Sequence, residues 1–289
     1  MLSHYMKIFF IASLFIASLS CNAQKPFTKI ICLQYDNQQK SKVQPDTLFV
    51  HQYKNGEIVK SCINSTMEDF LIKTTSVLNG LGNEAENITT VSKDGRLVSK
   101  EKQLVDVSSM TCVKSYDLVK KTEETPVLER DAAGRIVKVI NEKPYSYMAI
   151  SYPNERTIIH RLYNRTSDNR FFLYDSLTVI QKHRIVNTLT INLQQKKVTI
   201  VESKYNDKFE PVGFKISHAE MTPYEKSNNS DLPDDQLFNK LYQVIPMVKT
   251  EQEWFVSTFN KEGHPATGVK KTYDKNGEMK TYTLKFVYE

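Results

Sequence analysis

Thr47-Leu48-Phe49-Val50-His51-Gln52-Tyr53, then Lys54-Asn55-Gly56, then Glu57-Ile58-Val59-Lys60-Ser61-Cys62-Ile63 are two β-prone runs hinged on an Asn-Gly. Both central residues of a two-residue hairpin turn need positive φ, which Asn and Gly tolerate, so the stretch predicts a β-hairpin. The same device returns at Lys93-Asp94-Gly95-Arg96, at Asp131-Ala132-Ala133-Gly134, at Asn260-Lys261-Glu262-Gly263 and at Asp274-Lys275-Asn276-Gly277. Between these, 146–152 and 156–163 read as strands joined at Pro153-Asn154-Glu155, and 184–193 and 197–205 as strands joined at Gln194-Gln195-Lys196. Ile185, Leu189, Ile191 and Leu193 share one face, which predicts a sheet with one buried and one partly wet side.

Two segments read as helical. Ser65-Thr66-Met67-Glu68 is a capping-box pattern ahead of Phe70, Leu71, Thr74 and Leu78, closed by Gly80. Asp231-Leu232-Pro233-Asp234-Asp235 opens a second short helix carrying Leu237, Phe238 and Leu241. The expected fold is mainly β: an antiparallel meander of consecutive hairpins, as an open sheet or two sub-sheets, with two short helices. Residues 24–289 form one β-rich domain, with a candidate sub-boundary in the polar stretch 224–235.

Tyr273-Asp274-Lys275-Asn276-Gly277-Glu278-Met279 resembles the Tyr-Asp-x-x-Gly-x-Leu core of YD (RHS-type) repeats, found in exported proteins of Gram-negative bacteria. Asp131-Ala132-Ala133-Gly134-Arg135-Ile136, Asp94-Gly95-Arg96-Leu97 and Tyr53-Lys54-Asn55-Gly56-Glu57-Ile58 look like degenerate copies. The resemblance covers about a fifth of the chain. It implies hairpins wrapping into an extended sheet, with a scaffold or binding role rather than catalysis.

The N-terminus carries an address. Ile8 to Leu19 is an uncharged apolar run preceded by Lys7, the pattern of a secretory signal, so residues 1–23 are expected to be removed. Ser18-Leu19-Ser20-Cys21 resembles a bacterial lipobox, which implies lipidation of Cys21. Cys21-Asn22-Ala23 also fits the small-x-small rule, which would release a soluble chain starting at Gln24. Both routes stay open, and both place the protein in the periplasm or, by a lipid on Cys21, at the outer membrane.

Composition then excludes much chemistry. The chain has 289 residues with 9 Gly, 4 Cys and a formal charge of +6, or +5 once Lys7 leaves with the signal. Its basic residues are scattered among acids, so no nucleic-acid partner is expected. Cys32, Cys62 and Cys112 form no C-x-x-C, and His51, His160, His183, His218 and His264 are far apart in sequence, so neither metal nor cofactor is predicted. Asp231, Asp234 and Asp235 read as helix-starting acids rather than calcium ligands.

The expected function is non-enzymatic: an exported envelope protein binding a protein, glycan or envelope component through a sheet face or edge. Trp254, Phe255 and Phe259 are the candidate binding surface, with core packing as the competing reading. Two alternatives remain, an envelope hydrolase using residues such as His160, His183 and Asp175, and an immunity-type protein that neutralises a toxin.

Overall fold

The computed structural model describes residues 27–37, 44–54, 57–67, 70–79, 83–141, 146–165, 167–182, 184–192, 197–208, 210–220, 249–274 and 276–289. Every regular element among them is a strand. The first seven are β1 (Lys29–Asp36), β2 (Asp46–Lys54), β3 (Glu57–Met67), β4 (Phe70–Leu78), β5 (Glu84–Lys93), β6 (Arg96–Asp106) and β7 (Thr111–Asp117). The middle of the chain supplies β8 (Thr122–Glu124), β9 (Val127–Arg130), β10 (Ile136–Asn141), β11 (Ser146–Asn154), β12 (Thr157–Arg165) and β13 (Phe171–Lys182). Then follow β14 (Ile185–Asn192), β15 (Lys197–Tyr205), β16 (Pro211–Glu220), β17 (Lys249–Phe259), β18 (Pro265–Tyr273) and β19 (Met279–Tyr288).

The expected antiparallel meander is present as one 19-stranded sheet, and the first expected helix is not. Residues of that segment belong to β3 and β4, where Ile72, Thr74 and Ser76 are buried while Leu71, Lys73 and Val77 are exposed. That is a period of two, and β-branched Ile72, Thr74, Thr75 and Val77 favour it over the helical period. The second expected helix and the stretch 224–235 lie outside the described residues, although β16 and β17 on either side pair with each other.

The sheet curls back on itself. β19 pairs with β1, from Ile30 opposite Tyr288 to Asp36 opposite Tyr282. Below that ladder the Lys29 and Glu289 backbones exchange two hydrogen bonds of 3.0 Å, and Lys29 Nζ reaches Glu289 Oε2 at 2.7 Å. Parity makes the closure informative. If all 19 strands alternated in direction, β1 and β19 would run parallel, yet they are antiparallel. One consecutive pair must therefore run the same way, and it is β8 and β9, which have no ladder between them: β8 pairs with β7 and β9 with β10. Thr125-Pro126 separates them, and proline has no N–H to donate, so the strand bends there and changes neighbour. Among the described strands the sheet is open at this seam alone, and Val113 packs against the Ile136, Val139 and Ile150 cluster.

The side of β13 and β14 that carries Val179 and Val186 packs with Ile30, Phe49, Trp254, Leu284 and Phe286, which identifies the inner face. Following the registers, that face also carries Thr74, Ser76, Asn87, Thr89, Thr188, Thr190 and Asn192, all buried. The β14 reading is thereby reversed: Leu189 and Ile191 point outward, the neighbouring Thr and Asn point in, and both sides are buried. Outward positions on other strands carry ion pairs, Lys102 with Glu86 at 2.6 Å, Lys114 with Glu123 at 2.6 Å and Lys138 with Glu129 at 3.1 Å.

Candidate functional site

Among the described residues lies a cavity of about 70 Å³. Phe49, His51, Ile63 and Ser65 from β2–β3 line one side, and Ser203, Phe214, Gln252 and Trp254 from β15–β17 the other. These groups of strands are not ladder neighbours, so the cavity lies inside the curled sheet. A water needs about 10–15 Å³ of such space, so the volume suits a few waters or a small molecule. Its wall is mainly apolar: Trp254 lies 5.9 Å from Phe49 and 6.4 Å from Phe286 between ring centroids. His51 stacks on Phe49 at 4.6 Å and supplies a polar edge.

The expected aromatic surface divides accordingly. Trp254 is 8 % exposed and faces inward, whereas Phe255 and Phe259 are exposed. Adjacent residues on a strand point to opposite faces, so Trp254 and Phe255 cannot form one patch. Cys21 and His183 lie outside the described residues. His160 and Asp175 are both buried on the inner face, but the His160 imidazole is hydrogen-bonded to the Ser109 carbonyl at 2.7 Å, in the β6–β7 turn folded inward against β12. No group of three or more potential metal ligands occurs among the described residues.

A hydroxyl, an imidazole and a carboxylate do converge elsewhere. Thr199 Oγ1 lies 3.0 Å from His218 Nδ1, and His218 Nε2 contacts the Glu251 carboxylate. Glu251 reaches the imidazole because it occupies a β-bulge, Ile216 facing Gln252 while Ser217 faces Thr250. Its carboxyl is held below the usual carboxylate range by the hydrogen bond from His218. Thr199 and His218 sit in strands paired on both sides, so their backbone N–H groups serve the ladders rather than an oxyanion.

One rim is closed by a polar pair invisible to sequence spacing. Glu210 and His264 end two turns built alike: Asn206 Oδ1 accepts from the N–H of Lys208 and Glu210, and Asn260 Oδ1 from those of Glu262 and His264. Glu210 is fully buried, and His264 Nδ1 meets its Oε1 at 2.6 Å while Asn206 Nδ2 donates to Oε2 at 2.8 Å. Phe27 and Tyr288 cover the imidazole, with ring centroids 5.0 and 5.5 Å away. The phenol of Tyr53 is pushed well above its ordinary range by burial and then by Glu210.

Lys270 on the inner face of β18 is 8 % exposed, and Nζ donates to Gln34 Oε1 at 2.8 Å. Burial brings its ammonium down to about 8, against partial support from Cys32 and Asp46. The unfolded chain therefore holds this proton more tightly, and the burden on folding is complete below pH 8 and fades towards the free value of 10.5. Lys270→Met is expected to exceed the wild type in stability by on the order of 3 kcal/mol at pH 7, the gap closing as pH rises through that window. Urea titrations of both proteins check this. The difference is the quantity to read, because Cys32 and the buried tyrosines, raised in the fold, lower both curves above about pH 9.

No family model matches the chain, and no curated protein matches it. Among solved structures it is similar to a porin-like protein from Bacteroides uniformis, at 12 % identity, 92 % of this chain, 98 % of that chain and a TM-score of 0.33. A porin-like protein from Bacteroides vulgatus shows 12 % identity over 91 % and 98 %, with a TM-score of 0.25. A transferrin binding protein B mutant from Haemophilus parasuis shows 7 % identity over 92 % and 77 %, with a TM-score of 0.17. Scores this low do not bear on function.

Proposed function

We propose that the protein is an exported, non-enzymatic binding protein of the bacterial envelope that holds a small, mainly apolar ligand inside its curled sheet. The observation that carries this reading is the internal cavity between β2–β3 and β15–β17, walled by Phe49, Ile63, Phe214 and Trp254. Export rests on the signal pattern at 8–19, with Cys21 as the lipidation candidate. Among the described strands the curl leaves free edges at the β8–β9 seam alone, so the interior is a better-defined site than an edge for a protein or glycan partner.

Trp254 is the only tryptophan, so its fluorescence reports on this wall alone. Titration of the mature protein with 1-butanol is expected to give a saturable change in emission, and glucose none. A saturable response to glucose alone would move the site to a glycan. A hydrolase reading, expected on residues such as His160, His183 and Asp175, would have to use the Thr199, His218 and Glu251 contact instead, and it requires turnover of p-nitrophenyl acetate that disappears in His218→Ala.

A further inference from the structure

Two adjoining loops hold aliphatic side chains in water with no gain to the fold. A bulge interrupts the β5–β6 ladder, Val91 facing Ser99 while Ser92 faces Leu97, so Val98 is the extra residue. Strict alternation would turn one of two successive residues inward, but here Leu97 is 56 % exposed and Val98 50 %. Leu71 extends the row from β4, because it too faces Ser92 and is exposed. Beside them the Leu118 N–H donates to the Lys100 carbonyl at 2.8 Å, which sets the β7–β8 turn against β6. Asp117 Oδ1 accepts from the N–H groups of Val119 and Lys120 at 3.0 and 2.9 Å, and the turn so fixed leaves Leu118 and Val119 exposed. Such turns are ordinarily filled by Gly, Pro, Asn, Asp or Ser. Scattered exposed aliphatics are common, whereas a group of them on neighbouring strands and a turn marks a contact surface.

The rim of this patch is cationic. Lys93, Arg96, Lys100, Lys120 and Lys121 stand on the two loops against the acids Asp94 and Asp117. Asp117 is engaged by its own turn and by Lys120 at 3.2 Å, and Glu123 on β8 by Lys114 at 2.6 Å. Arg96, Lys100 and Lys121 are exposed, and among the described residues none of them has an ion pair. The complement of such a surface is anionic at its boundary and apolar beneath. That is the profile of a bilayer with acidic headgroups, where aliphatic side chains enter the acyl boundary and Lys and Arg stay at the phosphates.

We propose that the end of the β5–β6 hairpin and the β7–β8 turn form a membrane-docking surface, Leu97, Val98, Leu118 and Val119 entering a bilayer that contains anionic phospholipid and Arg96, Lys100 and Lys121 holding its phosphates. The surface shares no residue with the cavity and does not depend on the ligand reading.

The test sediments the chain starting at Gln24, which has no lipid of its own, with vesicles of phosphatidylcholine alone and of phosphatidylcholine with an equal part of phosphatidylglycerol. Binding is expected to be at least tenfold tighter to the anionic vesicles. Leu97→Ser with Val119→Ser should lose at least tenfold on those vesicles, and so should Lys100→Gln with Lys121→Gln, whose loss mimics that caused by high salt. Equal binding to both vesicles, or double variants that bind as the wild type does, would overturn the assignment. Polyglutamate bound as tightly as the anionic vesicles, and lost in the same variants, would overturn it in favour of an acidic protein. Self-association that vanishes in Leu97→Ser with Val119→Ser, without vesicle binding, would overturn it in favour of a second copy of the chain. All four positions are exposed, and unchanged circular dichroism separates a lost contact from a lost fold. If one double variant does not fold, the other and the vesicle comparison in the wild type decide.

Discussion

Glu210→Ala is expected to remove about 3–5 kcal/mol of folding stability, the usual cost of breaking a buried ionisable pair from one side. Glu210 has no exposed surface and binds partners on two turns, His264 at 2.6 Å and Asn206 at 2.8 Å. Its loss strands the imidazole beneath Phe27 and Tyr288 and unlinks the β15–β16 turn from the β17–β18 turn. Lys208 joins the same turns by donating to the Glu262 carbonyl, but it lies nearer the surface and cannot replace a buried acceptor. The double change Glu210→Leu with His264→Phe should cost less than Glu210→Ala, because no polar atom is then left without its partner. Equilibrium denaturation of the three proteins measures both differences, and an effect below about 1 kcal/mol for Glu210→Ala would mean the turns are held by other contacts.

Trp254→Ala is expected to cost a similar amount, about 3–5 kcal/mol. The indole is buried between Phe49 and Phe286, and the adjoining cavity gives the neighbours little reason to collapse inward. The variant should therefore be destabilised yet hold larger probes, benzene for instance, which ligand-observed NMR can detect. Trp254→Phe keeps a ring in place and should lose less. If Trp254→Ala unfolds no more readily than the wild type, the side chain is not part of the packed interior and the cavity loses its principal wall.

Turn chemistry was the legible part of this fold. Asp94 and Gly95 have φ of 49° and 74°, as their hairpin requires, and Gly134, Gly263 and Gly277 lie between 78° and 82°. In the last three turns the leading side chain, Asp131, Asn260 or Asp274, accepts two backbone N–H groups, which gives the shared Asx-x-x-Gly pattern a local cause. The YD-repeat likeness can rest on that turn alone.

Closure was not legible, because Ile30 meets Tyr288 through a contact that leaves no local pattern in either segment. The inner face misled for a related reason. In a single open sheet, apolar residues mark the buried side, but here Thr188, Thr190 and Asn192 point inward and Leu189 and Ile191 outward. Glu210 and His264 were missed since they are 54 residues apart and the Asn206 turn lacks the glycine that marked the others.

The most direct test of the account is whether β1 and β19 lie side by side, since the interior and its cavity exist only if the sheet closes there. Tyr35 and Thr283 are ladder partners, alternating with the inward Gln34 and Leu284. Cα atoms of directly opposed residues lie about 4.5–5.5 Å apart, within reach of a disulfide. Tyr35→Cys with Thr283→Cys, oxidised mildly and mapped by peptide mass spectrometry, should give a 35–283 bridge in nearly every molecule. Two thiols that stay reduced and react freely with maleimide in the folded protein would contradict the closed sheet.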